Sequence, residues 1–154
     1  SFAVIQKSLT LLKTIIPTTT TITEDLEKAT GTILADPAQT ETVIMNLVTN
    51  AAVALDGEIG EIAVSLSPVE VPEKGNGEDH GLAAGRYAKV IVADNGPGME
   101  DEVIERIFDP FFTTKDVGAG TGLGLSMAHG IIERHDGHIS VSGKIGPVIQ
   151  GLRY

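Results

Sequence analysis

Cysteine and tryptophan are absent from this 154-residue chain, and its aromatics amount to four phenylalanines and two tyrosines. Without cysteine there are no disulfides, no thiolate metal ligands and no cysteine nucleophile, a pattern that fits a reducing compartment. No apolar run approaches the ~20 residues that a membrane-spanning helix needs. The first residues also lack the basic, then apolar, then small-residue order of a secretory signal. Basic residues are scarce: 11 Lys and Arg against 21 Asp and Glu leave a formal net charge of −10. Nucleic-acid surfaces are built on basic patches, so that partner class is excluded. An anionic ligand must then be held by local groups and a metal ion, against the overall field. What is present, 42% hydrophobic and 21% charged residues, is the composition of one globular domain with a buried core.

Along the chain, residues 3–16 have helical spacing that Pro17 ends. Thr18–Thr23 and Thr32–Ala35 are β-branched and predict strands. Asp36-Pro37 predicts a helix start, and Val43, Ile44, Leu47, Val48, Ala51, Ala52 and Leu55 trace one apolar stripe. Glu61–Leu66 and Tyr87–Ala93 predict two strands joined by a long hairpin loop, residues 67–86, rich in Pro, Gly and charge. Glu100–Phe108 and Gly124–Arg134 predict helices, the second stopped by Asp136-Gly137, and His138–Ser142 alternates as a strand. Nothing repeats. The expected fold is an α/β two-layer sandwich: a mixed sheet with helices packed on one face.

Three segments carry chemistry. Asp94, after the apolar strand Val90–Ala93, opens Asp94-Asn95-Gly96-Pro97-Gly98-Met99. A carboxylate only accepts hydrogen bonds, and adenine offers its exocyclic amine as a donor. Gly96 and Gly98 would let the backbone approach the ring, although Asp-Asn-Gly is also an ordinary turn. Gly118–Gly124 matches neither G-x-G-x-x-G nor G-x-x-x-x-G-K-[ST]. It is a glycine loop feeding a helix N-terminus, where free N–H groups favour phosphate; close packing is the plain alternative. Asn46 and Asn50 stack one turn apart beside an apolar stripe. They either satisfy neighbouring backbone or, for Asn50, offer an oxygen to Mg²⁺. Between these segments Phe108–Lys115 supplies aromatics to pin a cover's base, and Lys115, solvated or facing terminal phosphates. His80, His129, His135 and His138 form no convincing ligand set and are read as non-catalytic.

Together these residues resemble the catalytic ATP-binding domain of sensor histidine kinases, in the Bergerat-fold (GHKL) superfamily shared with type II topoisomerases, mismatch-repair ATPases and heat-shock chaperones. Asn46–Ala51 looks like the N box, Asp94–Met99 the G1 box, Phe108–Lys115 the F box and Gly120–Leu125 the G2 box. The four motifs stand in the family's order and cover roughly residues 30–142. The resemblance implies that Asp94, Gly96, Gly98, Met99, Gly120, Thr121, Gly122, Leu123 and Gly124 hold ATP. It implies that Asn46, Asn50 and Lys115 serve catalysis, Asn50 as the Mg²⁺ ligand, with a lid at about residues 109–121. Hydrolysing relatives carry a glutamate where this chain has Asn46, and an amide is no general base. The implied reaction is γ-phosphoryl transfer to a histidine on a separate dimerisation and phosphoacceptor domain, which in turn serves a response regulator.

The resemblance further implies a monomeric, cytoplasmic single domain over residues 1–154, excised from a parent that carries the acceptor helix and is itself membrane-anchored or soluble. A regulatory nucleotide-binding module and a Bergerat-type serine kinase are the alternatives. Val53 and Ala54 replace the basic and aromatic or polar residues usual in the family. Gly146–Tyr154 stands where the family has its final Gly-Thr-x-Phe strand, a departure at the end that would support the adenine site.

Overall fold

A computed structural model describes residues 2–28, 36–55, 58–73, 83–96, 100–109, 124–142 and 146–153, with backbone alone for 142 and 146–153. The first helix, α1 (Phe2–Ile15), stops just before Pro17, and β1 (Thr20–Leu26) follows a turn in which Thr20 N–H donates to the Pro17 carbonyl. The strand therefore begins two residues later than its β-branched run. The long amphipathic stripe is α2 (Pro37–Leu55). Asp36 caps it, its Oδ1 accepting from Ala38 N–H at 3.1 Å while its carbonyl accepts from Thr40 N–H. The remaining elements are β2 (Gly60–Val71), β3 (Gly85–Asp94), α3 (Asp101–Arg106), α4 (Gly124–Arg134), β4 (His138–Ser142) and β5 (Gly146–Arg153). The expected strand at Thr32–Ala35 lies outside the described residues. No helix among the described residues is long and apolar enough to cross a membrane.

The five strands form one mixed sheet in the order β1-β2-β3-β5-β4. β1 and β2 are parallel, as a crossover through α2 requires, and every other neighbouring pair is antiparallel. Burial alternates along β2: Ile62, Val64 and Leu66 are buried, while Glu61 and Ala63 are exposed. Their partners Val90 and Val92 on β3 face the same way. Against that face pack Ile5, Leu9 and Leu12 of α1, the stripe from Val43 to Leu55 of α2, and Leu125, Ala128, Ile131 and Ile132 of α4, in one core cluster. The other face of β1 and β2 carries Thr21, Thr23, Glu61 and Ala63, all exposed. Helices on one face of a mixed sheet are the expected architecture.

One expectation changes. β2 and β3 stay paired as far as Val71 and Gly85, so the connection reduces from residues 67–86 to 72–84. Pro68 is tolerated inside β2 because β1 ends opposite Leu66, which leaves β2 with one neighbour at that point among the described residues. Gly146–Arg153, which lacks the family's closing motif, forms β5 and lies in the interior of the sheet between β3 and β4. Pro147 sits where β5 has passed the end of its pairing with β3 and bonds on one side only.

Candidate functional site

Asp94 closes β3 opposite Ile62. Side chains alternate along a strand, so Asp94 shares the helix-packed face with Val90 and Val92 and is half-buried there. The apolar run therefore delivers one carboxylate to the inner rim of the sheet. Gly96 N–H donates to Asp94 Oδ1 at 2.9 Å, and Oδ2 has no donor among the described residues. A Cβ on Gly96 would lie 2.8 Å from Asp94 Oδ1 and 3.3 Å from Leu55 Cδ2. The absent side chain is thus a spatial requirement of this carboxylate. Leu55, the last residue of α2, fills the space beside Gly60 and Gly96 and joins α2 to the end of β3.

Asn46 and Asn50 flank the buried stripe of α2 on its C-terminal half, both half-buried. Asn46 Nδ2 is buried with no hydrogen-bond partner among the described residues. A Cβ built on Gly124, the first residue of α4, would lie 3.7 Å from Asn46 Oδ1. The amide therefore stands against the start of the helix that the glycine cluster feeds. A buried donor without an acceptor is costly, and an anionic oxygen at a helix N-terminus would remove that cost. Among the described residues no three His, Cys, Asp or Glu converge to hold a metal ion.

Phe108 is half-buried against the core, and its ring lies 5.0 Å from that of His129 on α4, tilted by 31°. His129 Nε2 is 3.6 Å from Glu133 Oε1, and His135 Nδ1 lies 2.8 Å from the Ile131 carbonyl at the helix end. Both histidines thus have local structural partners. The connection from α3 leaves from Phe108, already seated on α4, and returns to α4 at Gly124. Gly98, Met99, Lys115, Gly120, Thr121, Gly122 and Leu123, and the lid at about 109–121 beyond Asp109, lie outside the described residues. Of the described site residues, Asn46 stands beside Gly124 at the start of α4, Asp94 and Gly96 stand beside Leu55 at the end of α2, and Asn50 lies between Asn46 and Leu55 along that helix. Two contributors escaped the sequence reading: Leu55, which looked like plain core, and Asn95, whose partner is 34 residues away.

Residues 35–150 match the model of the family described as histidine kinase-, DNA gyrase B-, and HSP90-like ATPase. Sensor kinase CckA of Brucella abortus is 40% identical over 114 residues, covering 74% of this chain and 12% of the relative. Sensory histidine kinase/phosphatase NtrB of Escherichia coli O157:H7 is 33% identical over 136 residues, covering 88% of this chain and 37% of the relative. The chain thus spans well under half of these proteins. Among solved structures, the catalytic domain of histidine kinase ThkA superposes with a TM-score of 0.73 at 28% identity, over 98% of this chain and 91% of that one. The mycobacterial sensor histidine kinase MprB, at 19% identity and a TM-score of 0.68, shares the fold.

Proposed function

Because the chain belongs to the histidine kinase-, DNA gyrase B-, and HSP90-like ATPase family, we propose that it binds Mg·ATP and donates the γ-phosphoryl group to a histidine. That histidine stands on a separate dimerisation and phosphoacceptor domain of a two-component sensor kinase. The observation that carries this reading is the side-chain amide of Asn46, whose Oδ1 stands by the first residue of α4 and whose Nδ2 is buried with no partner among the described residues. Its donor suits a phosphate oxygen and does not suit a water that must lose a proton, because a neutral amide cannot take one. A site so equipped holds ATP for another nucleophile, and its contribution is positioning and charge neutralisation.

On this reading Asp94 Oδ2 accepts from the adenine amine, and Gly96, Gly98 and Met99 line the base. Gly120, Thr121, Gly122, Leu123 and Gly124 present backbone N–H groups to the phosphates, and Lys115 meets the terminal ones. Asn50 would supply the protein oxygen that holds Mg²⁺. Bound there, Mg²⁺ neutralises phosphate charge. The 1–154 unit works as one monomeric domain in the cytoplasm, whether or not its parent is anchored, and the response regulator is reached through the acceptor domain.

The test mixes the chain, γ-labelled ATP and the dimerisation domain of a similar sensor kinase. Acid-labile phosphate on that domain's histidine, with negligible steady hydrolysis by the chain alone, is the expected result. Acid-stable phosphate would indicate a serine kinase, and tight binding without transfer a regulatory module. Asn50→Ala should bind ADP without Mg²⁺ as the parent does and lose the gain that Mg²⁺ brings.

A further inference from the structure

The β2–β3 ladder ends one residue later than its strand pairing. Ile62 and Asp94 are the last paired residues, and the next rung would join Glu61 to Asn95. In such an antiparallel rung each residue gives an N–H to the other's carbonyl. Half of it is made normally, since Asn95 N–H donates to the Glu61 carbonyl at 3.2 Å. The other half is made by a side chain: Glu61 N–H donates to Asn95 Oδ1 at 2.8 Å. The side-chain oxygen takes the place of the Asn95 carbonyl, so the main chain turns away at Asn95 while the sheet still holds it. The very next N–H, that of Gly96, ties down Asp94 Oδ1. Asn95 is exposed and water could solvate Glu61 N–H, so burial does not force the bond. The room beside it is kept by Gly60, where a Cβ would lie 3.0 Å from Asn95 Oδ1.

We propose that Asn95 is a positioning residue of the nucleotide site, whose two bonds to Glu61 fix the turn that aims Asp94 Oδ2 at the base. This rests on the nucleotide reading given above. Asn95 touches no ligand on this account and acts only through Asp94.

The test is titration of the full chain with ADP and Mg²⁺ in a double-mutant cycle. Asn95→Ala should weaken ADP about three- to tenfold, the scale of one net hydrogen bond, with little change in thermal midpoint. Asn95→Asp, which keeps the acceptor oxygen, should stay within about twofold of the parent. In an Asp94→Ala background, Asn95→Ala should cost almost nothing more, because its route of action is already gone. The same fold loss in that background, no loss in the single variant, or failure of Asn95→Asp to restore affinity would overturn the proposal. Should Asn95→Ala not fold, Asn95→Ser, whose hydroxyl falls short of Glu61 N–H, carries the same comparison. A parent that does not bind ADP, or binds it equally after Asp94→Ala, overturns the nucleotide reading first; additive losses at the two positions overturn this inference alone.

Discussion

On the proposed reading Asp94 serves as an acceptor only while its carboxylate stays in one orientation, and the group nearest to disturbing it is a side chain that is not there. Gly96→Ala would put a carbon 2.8 Å from Asp94 Oδ1, inside any tolerable contact, and would break the Gly96 N–H bond or turn the carboxylate. ADP affinity should fall by about 1.5–3 kcal/mol, the scale for a hydrogen bond to a charged group, as it should for Asp94→Ala. Calorimetric titration of both variants checks this, and a Gly96→Ala variant that binds as the parent does would refute the orientation argument. Asp94 and Gly96 were legible in the sequence because an acidic residue ending an apolar strand before glycine is a local pattern. Asn95 and Leu55 were not. The first acts through strand register and the second through tertiary contact, and neither leaves a mark in its own neighbourhood.

Among the elements, α4 and β4 run between the residues that periodicity and turn chemistry predicted. The stop between them is less simple than Asp-Gly suggests. Gly137 N–H donates to the Ile132 carbonyl and Asp136 N–H to that of Glu133, the two bonds of a Schellman motif. Its left-handed residue is Asp136, with φ 57°, and not the adjacent glycine. Asp136→Gly should relieve that conformation and stabilise the fold by roughly 0.5–1 kcal/mol, net of the entropy glycine adds to the unfolded chain. A denaturant midpoint that rises at constant slope would show it. On α2 the contrast is burial: Leu47 is fully buried in the core, and Leu47→Ala should cost about 2–5 kcal/mol by the same measurement. The β2 and β3 ends were misjudged because Pro68, Glu70 and Arg86 read as loop residues. Proline and charge are permitted there since, among the described residues, β2 has no second neighbour beyond Leu66.

At the scale of the molecule, β5 decides whether there is one sheet. β4 pairs with β5 alone, and β5 joins it to β3. A chain ending at residue 145 would keep the β1-β2-β3 pairing, leave β4 without a ladder partner and uncover the free edge of β3. Its thermal transition should be broad and its ADP binding lost, because α4, whose first residue stands beside Asn46, packs against β4 and β5 as well as α2. A sharp transition with retained binding would show that α4 is seated without β5. Nothing local announced this strand: Gly146-Pro147 and Gly151 bracket only a short apolar run, and its place follows from register with β3.

That placement also sets a timetable. A ribosome delivers β3 first, then α4 and β4, and only afterwards the strand that belongs between them. Until residue 153 has cleared the exit tunnel, the edge of β3 stands open to any other chain, and β4 is not yet joined to β3. Residence of that edge in the growing polypeptide, rather than the stability of the finished domain, is where misassembly with a neighbouring nascent copy would begin.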